Sequence, residues 1–214
     1  MRTMTTKRFF LALVLAIWLV PGTGTAHGGS FSKQIHHEQF TPTGPTPMVG
    51  FCFPGVGGIT TCPCMNWPAS VGVGCDNATS PSVGTGGAYL DSSGVASTTT
   101  DSLSLEVYST LPTLHTVFVG TTNTSPGIRF GAGIRCVGSP LKILAMGTPT
   151  SGPPYSISFT GIYAKSIAAG LTPNVGQTYF YYVGYDNADM NGAPGCPGTT
   201  FGFNATNSGA ITWI

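Results

Sequence analysis

The chain has 214 residues, of which 7% are charged and 41% are hydrophobic, and its formal net charge at pH 7 is +1. So few charges leave no basic stripe that could neutralise phosphates, which excludes a nucleic-acid partner and gives no support to a peripheral membrane partner. Solubility must therefore come from serine, threonine, asparagine and glycine residues.

The first 26 residues have the pattern of a secretory signal peptide. A basic start is followed by an apolar run at residues 9–20, and Gly24-Thr25-Ala26 supplies the small residues that cleavage requires. This run is shorter than the roughly 20 residues that a membrane-spanning helix needs. We therefore expect cleavage after Ala26, secretion to the exterior or the cell surface, and no membrane segment in the mature chain.

Residues 27–50 are predicted to form a flexible arm rich in proline and threonine. Cleavage after Ala26 would leave His27 at the N-terminus, where its amine and imidazole together can bind copper. His36, His37 and His115 are candidate further ligands, so one alternative function is a copper-dependent polysaccharide mono-oxygenase. The other interpretation is that the arm histidines are solvated and that His115 is a structural residue of a strand.

The segment from residue 52 to residue 75 carries four of the six cysteines. An even number of cysteines in an exported chain predicts three disulfides, for which about 15 pairings are possible. The Cys-Pro-Cys sequence could instead begin a metal site. We expect Cys52, Cys62, Cys64 and Cys75 to pair among themselves, and Cys136 to pair with Cys196.

Residues 51–214 are predicted to form one all-β domain. Apolar and polar residues alternate at 103–107 and 155–159, which is the pattern of strands with one buried face. Continuous apolar runs predict inner strands, and they lie at residues 114–119, 141–146 and 177–185.

The end of the chain is predicted to form a closing hairpin, with strands at residues 200–205 and 210–214. One short helical candidate lies at residues 164–169, and glycine and proline separate nearly every segment. The predicted fold is a single β-sandwich, immunoglobulin-like or jelly-roll-like, that is stapled by disulfides.

Residues 187–192 resemble the first half of a calcium-binding loop, with oxygen-bearing side chains at alternate positions. Asp189 and Asn191 are therefore candidate calcium ligands. The twelfth position of such a loop is Gly198, so the expected bidentate carboxylate is missing. An ordinary turn rich in polar residues is the alternative interpretation.

Aromatic residues indicate a possible ligand surface. Trp67 and Tyr181 could offer ring faces to the sugars of an extracellular polysaccharide or to another cell-surface component. The alternative is that the tyrosine run at 177–185 packs inside the sheet. The sequence has no serine-nucleophile motif, no paired-carboxylate spacing and no phosphate-binding loop, which favours a non-catalytic structural or binding module.

Several short motifs occur in an order that resembles an uncharacterised family of secreted bacterial cysteine-containing β-domains. They are Cys52-Phe53, Cys62-Pro63-Cys64-Met65-Asn66, Gly74-Cys75-Asp76-Asn77, Gly87–Leu90 with Gly94-Val95-Ala96, Phe130–Gly138 around Arg135-Cys136, and Phe203–Asn207 with Thr212-Trp213. The resemblance implies a secreted β-domain and no established activity. Two acidic positions common in the family are absent here, at Pro54–Gly57 and at Ala132, so any ion contact made by those acids is not carried over.

Overall fold

The computed structural model describes residues 47–78, 84–193, 196 and 202–214. These residues form eleven strands, one α-helix and a single 3-10 turn at Ala188–Met190. The helix α1 is Ile162–Ala168. The strands are β1 (Met48–Phe51), β2 (Tyr89–Ser93), β3 (Ser104–Thr110), β4 (His115–Gly120), β5 (Asn123–Phe130), β6 (Gly133–Val137), β7 (Lys142–Gly147), β8 (Tyr155–Phe159), β9 (Thr178–Asp186), β10 (Phe203–Ala205) and β11 (Ser208–Thr212).

The strands form three antiparallel sheets. The large sheet has the order β1-β11-β9-β4-β7, and β10 also pairs with β9. The three-stranded sheet has the order β2-β3-β8, and β5 and β6 form a separate two-stranded ribbon. The first strand begins at Met48, so the last three residues of the predicted arm belong to the large sheet.

The core lies between the large sheet and the three-stranded sheet. Leu90, Leu105 and Val107 project into it from the three-stranded sheet, and Val117 and Val183 project from the large sheet. All five side chains are fully buried, as the alternation of apolar and polar residues in these strands requires. The chain is therefore all-β, as predicted, and its two main sheets pack face to face as a sandwich.

The outer face of the large sheet is covered by the β5–β6 ribbon. Phe118 and Tyr182 stack with ring centroids 4.9 Å apart, and Phe130 of the ribbon contacts Tyr182 edge-on at 5.6 Å. A Cβ atom at Gly184 would lie 2.9 Å from the Phe130 ring, so a larger residue there would force this ring to shift. Strand β9 is consequently buried on both faces, which confirms the prediction of an inner strand there.

The helix begins where a distant carboxylate caps it. The backbone amides of Tyr163 and Ala164 donate hydrogen bonds to Asp101, at 3.0 and 3.1 Å. A carboxylate at a helix N-terminus satisfies amides that have no partner within the helix. The helix begins two residues before the predicted candidate and remains short.

The prediction that residues 141–146 form an inner strand is wrong. Strand β7 lies at the edge of the large sheet, and Ile143 and Met146 are 53% and 63% exposed. Strand β7 bulges where Leu144 is left without a partner, so that Ile143 pairs with Phe118 and Met146 pairs with Thr116. Because of this β-bulge, two apolar residues three positions apart both lie on the outer face.

The predicted closing hairpin is also wrong. Strands β10 and β11 do not pair with each other. Both pair with β9, one after the other along its length. Asn207, which was expected in the turn, is buried and bridges the two sheets. Its side chain accepts a 2.7 Å hydrogen bond from the Leu90 amide and donates a 3.1 Å bond to the Leu90 carbonyl.

All six cysteines form disulfides, as predicted, but the predicted pairing is wrong except for one bridge. Cys52 pairs with Cys136, Cys62 with Cys75, and Cys64 with Cys196. Phe51 of β1 pairs with Ser208, and the hydroxyl of Ser208 accepts a hydrogen bond from the Cys136 amide at 3.4 Å. The sheet thus places the end of β1 beside β6, a neighbourhood that sequence spacing does not indicate.

Candidate functional site

Tyr181, which was predicted as a ligand-binding residue, lies in the core. It is fully buried, and its hydroxyl accepts a 3.3 Å hydrogen bond from the Trp213 indole, which is also buried. Burial raises the pKa of the Tyr181 hydroxyl well above its usual value. The inner-strand interpretation of the tyrosine run is therefore correct, and Tyr181 offers no ring face to a ligand.

Trp67 is 55% exposed, and the next residue in the chain, Pro68, lines an apolar cleft. The cleft has a volume of about 240 Å³ and is lined mainly by Phe53, Val56, Pro68 and Val71. Its polar lining is sparse, with Ser70 as the hydroxyl-bearing side chain. Trp67 is thus an accessible aromatic residue that directly precedes a residue of this cleft.

A buried polar network holds the segment that carries Trp67. The side-chain amide of Asn66 donates hydrogen bonds to the carbonyls of Asp76 and Ala132, at 2.6 and 3.2 Å. The side-chain amide of Asn204 donates bonds to the carbonyls of Cys75 and Asp76, both at 3.0 Å. These contacts replace a regular sheet in this segment and fix its backbone.

Asp76 is the charged member of this network. Burial raises the pKa of its carboxyl group, and hydrogen bonds from backbone amides, including those of Asn77 and Gly86 at 2.6 and 2.9 Å, oppose the rise. The next residue, Asn77, accepts a 2.6 Å bond from the Tyr185 hydroxyl of β9. The network therefore connects the cysteine-rich segment to the centre of the large sheet and has a structural role.

The structure places the residues of the predicted calcium loop at different depths. Asp189 and Asn191 are exposed in and after the 3-10 turn, whereas Asn187 is buried and donates a 3.2 Å hydrogen bond to the Asn77 carbonyl. Within the described residues, no group of three histidine, cysteine or acidic side chains could hold a metal ion. All six cysteines are bonded to one another, which rules out the Cys-Pro-Cys metal site.

His115 is a structural residue and does not complete a copper site. It is fully buried, and its ring stacks on Tyr185 with centroids 5.3 Å apart. Its Nδ1 atom lies 2.7 Å from the Thr113 carbonyl and its Nε2 atom lies 2.5 Å from the Thr110 hydroxyl. Both ring nitrogens are therefore occupied. His27, His36 and His37 lie outside the described residues.

The burial of His115 predicts a pH-dependent stability. Burial lowers the pKa of His115 below its usual value of 6.5, although the Thr113 carbonyl and Asp186 oppose the change. The unfolded chain therefore binds a proton more readily than the folded chain as the pH falls below about 6.5, and folding is weakened. We expect the free energy of unfolding to fall by up to about 1.4 kcal/mol per pH unit in this window.

Urea unfolding at a series of pH values checks this prediction. The His115→Gln variant keeps a polar side chain that does not titrate, so its unfolding free energy should lack this part of the slope. An identical pH slope in both proteins would assign the effect to other groups.

The most distinctive polar surface of the described residues lies on the outer face of the three-stranded sheet and was not predicted from the sequence. In the register of β2 and β3, Tyr89 faces Tyr108 and Asp91 faces Glu106. Glu106 also faces Ser158 of β8. We call this surface the tyrosine–carboxylate face, and it consists of Tyr89, Asp91, Ser93, Glu106, Tyr108 and Ser158.

Hydrogen bonds order the side chains of this face. The Tyr108 hydroxyl donates to Glu106, and the Ser93 hydroxyl donates to the same carboxylate at 2.7 Å. Tyr89 is hydrogen-bonded to the Asp91 side chain. Burial, together with Asp91, raises the pKa of Tyr89 to about 12, and burial and Glu106 raise the pKa of Tyr108 even further. Both phenols therefore stay protonated and act as donors at neutral pH.

The two tyrosine rings lie side by side on the surface. Their centroids are 6.3 Å apart and their planes are inclined by 25°. Both residues are partly exposed. A register shift follows Tyr108, where Ser109 has a left-handed backbone with φ 53°. The bulge ends the regular ladder directly beside the ring pair.

The facing carboxylates are unfavourable for the sheet itself. Directly opposed residues on antiparallel strands have Cβ atoms about 5 Å apart, and like charges at this spacing are destabilising. Strands β2, β3 and β8 contain no lysine or arginine that could offset the repulsion between Asp91 and Glu106. Departures of this kind from favourable strand pairing are expected at functional sites.

The face carries groups of the kinds that bind sugars. It combines aromatic rings with hydroxyl and carboxylate groups, which can stack on sugar rings and accept or donate hydrogen bonds to their hydroxyls. No helix within the described residues is long and apolar enough to cross a membrane.

The chain matches no family model, no curated protein and no solved structure.

Proposed function

We propose that this chain is a secreted, non-catalytic binding module and that it binds a polysaccharide on the tyrosine–carboxylate face. The observation that carries the proposal is the pairing of Tyr89 with Tyr108 beside the pairing of Asp91 with Glu106. The signal-like N-terminus and the three disulfides support secretion. The ordered motifs support membership of the family of secreted bacterial β-domains that the sequence resembles.

The face is organised before any ligand arrives. Its side chains project from paired strands, and hydrogen bonds from Tyr108 and Ser93 already hold the Glu106 carboxylate in place. Binding to such a surface requires little ordering of loops or side chains, so a larger part of the contact energy becomes affinity. A site on regular strands also keeps its geometry better than a site on loops.

Retention on insoluble polysaccharides tests the proposal, with cellulose, chitin, chitosan, xylan and peptidoglycan as the panel. Replacement of both Tyr89 and Tyr108 by alanine should weaken retention roughly 30-fold, if each ring contributes about 1 kcal/mol. The Phe203→Ala variant is the control, because Phe203 is a 50% exposed aromatic residue on β10 of the large sheet. Its retention should equal that of the unmodified protein.

The variants must be folded for the comparison to count, which thermal unfolding establishes. The proposal is overturned if none of the five polysaccharides retains the unmodified protein. It is equally overturned if the double tyrosine variant is retained as well as the Phe203→Ala variant.

Trp67 gives a second candidate site for the same function. Its exposed ring could stack on a sugar without the tyrosine–carboxylate face, and the neighbouring residue Pro68 lines an apolar cleft. In that case Trp67→Ala would abolish retention and the double tyrosine variant would keep it. We favour the tyrosine–carboxylate face because a cleft with few polar groups gives little selection among sugar hydroxyls.

A further inference from the structure

We infer that the polysaccharide bound by the tyrosine–carboxylate face is cationic, a chain of amino sugars whose amino groups are free; this inference rests on the proposed function. The charge of the face carries it. Asp91 and Glu106 are the charged residues of β2, β3 and β8, and both are acidic. An anionic polysaccharide would meet repulsion there, and a neutral one would leave the two carboxylates uncompensated.

An ammonium group relieves the conflict that the sheet contains. The carboxylates of Asp91 and Glu106 face each other across neighbouring strands, and a positive charge placed beside both is attracted by each of them. The ring faces of Tyr89 and Tyr108 add a further attraction, because cations bind to the faces of aromatic rings. Charge complementarity and ring stacking thus favour the same ligand.

The polar groups around the carboxylates favour a sugar over a basic peptide. Ser93 lies next to Glu106 and Ser158 lies opposite it, so hydroxyl groups flank the paired carboxylates. An amino sugar presents hydroxyls and an ammonium group on one rigid ring, which can use both kinds of partner at once. A lysine side chain presents its ammonium group on a flexible stem and has no hydroxyl group that could hydrogen-bond to the flanking serines.

Calorimetric titration with two hexasaccharides of equal length tests the inference. The probes are the hexamer of glucosamine and the hexamer of N-acetylglucosamine, which differ in the charge of the amino group. We expect the glucosamine hexamer to bind at least about tenfold more tightly at low salt, and the difference to shrink as salt screens the charges.

Neutral replacements of the carboxylates provide the matched variants. The double variant Asp91→Asn/Glu106→Gln should lose the preference for the glucosamine hexamer. Each new amide keeps one oxygen that can accept a hydrogen bond from Tyr89, Tyr108 or Ser93, so the variant should stay folded, which thermal unfolding checks. The Asp189→Asn variant removes an exposed carboxylate in the 3-10 turn and should keep the preference.

The outcomes separate this inference from the proposed function. Equal affinity for the two hexamers overturns the inference and leaves polysaccharide binding intact. Binding of poly-L-lysine as tight as that of the glucosamine hexamer also overturns it, because the partner would then be a basic protein segment. If neither hexamer binds and no insoluble polysaccharide retains the protein, the proposed function itself fails.

Discussion

Replacing Cys64 and Cys196 together by alanine is expected to lower the free energy of unfolding by about 5 kcal/mol, because this disulfide closes a loop with a sequence separation of 132. The cross-link restricts the unfolded chain, and its removal restores that conformational freedom. Alanine is the suitable replacement because both cysteines are buried among apolar residues, where a serine hydroxyl would have no partner.

The other two bridges provide the internal comparison. The Cys52–Cys136 bridge, with a separation of 84, should contribute about 4.5 kcal/mol, and the Cys62–Cys75 bridge, with a separation of 13, about 3 kcal/mol. Urea unfolding followed by the fluorescence of the buried Trp213 measures all three variants. The account is contradicted if the short bridge proves to be the most stabilising of the three.

Replacing Asn204 by alanine is expected to lower the free energy of unfolding by about 3 kcal/mol, since several buried groups would lose their partner. Its side-chain amide donates to the carbonyls of Cys75 and Asp76, and its Oδ1 atom accepts a 2.8 Å hydrogen bond from the Ala205 amide. The residue is fully buried, so water cannot take over these bonds without a rearrangement.

A second replacement at the same position separates lost hydrogen bonds from lost volume. Asn204→Asp keeps the size of the side chain but replaces the amide donor with a carboxylate oxygen. This acceptor would face the carbonyl oxygens that the amide now binds, so the variant should be destabilised at least as much as the alanine variant. Asn123→Ala, at an exposed position of β5, should change stability by less than about 0.5 kcal/mol. Near-native stability of Asn204→Asp would show that the donor is not needed.

Local patterns were sufficient to predict the fold class and several strands. The alternation around Leu105 and Val107 correctly indicated one buried face, and the tyrosine-rich run correctly indicated an inner strand. Each of these inferences depends only on side chains within one strand. Burial follows from such patterns because successive residues of a strand face opposite sides.

The errors concern relations between strands. The exposure of Ile143 and Met146 depends on how β7 pairs with β4 across a bulge, and the pairing of β10 and β11 with β9 depends on which strand lies beside them. The disulfide partners are set by the same neighbour relations. A single sequence does not specify register or strand order, so these features could not be predicted from it.

The candidate site was missed for the same reason. The sequences Tyr89-Leu90-Asp91 and Glu106-Val107-Tyr108 each place an aromatic residue and a carboxylate on one face of a strand, and this signal is visible in the sequence. What is not visible is the register that sets Asp91 opposite Glu106. The connection between the two strands has no hairpin pattern that would fix this register.

The most direct test of polysaccharide binding on the tyrosine–carboxylate face is an NMR titration of the ¹⁵N-labelled protein. The glucosamine hexamer, the N-acetylglucosamine hexamer and cellohexaose would be added in turn while the backbone amide signals are followed. We predict that at least one of them shifts the amides of Tyr89–Ser93 and Ser104–Thr110 while those of the cysteine-rich segment stay in place. Shifts concentrated around Trp67, or no shifts with any of the three, would contradict the account.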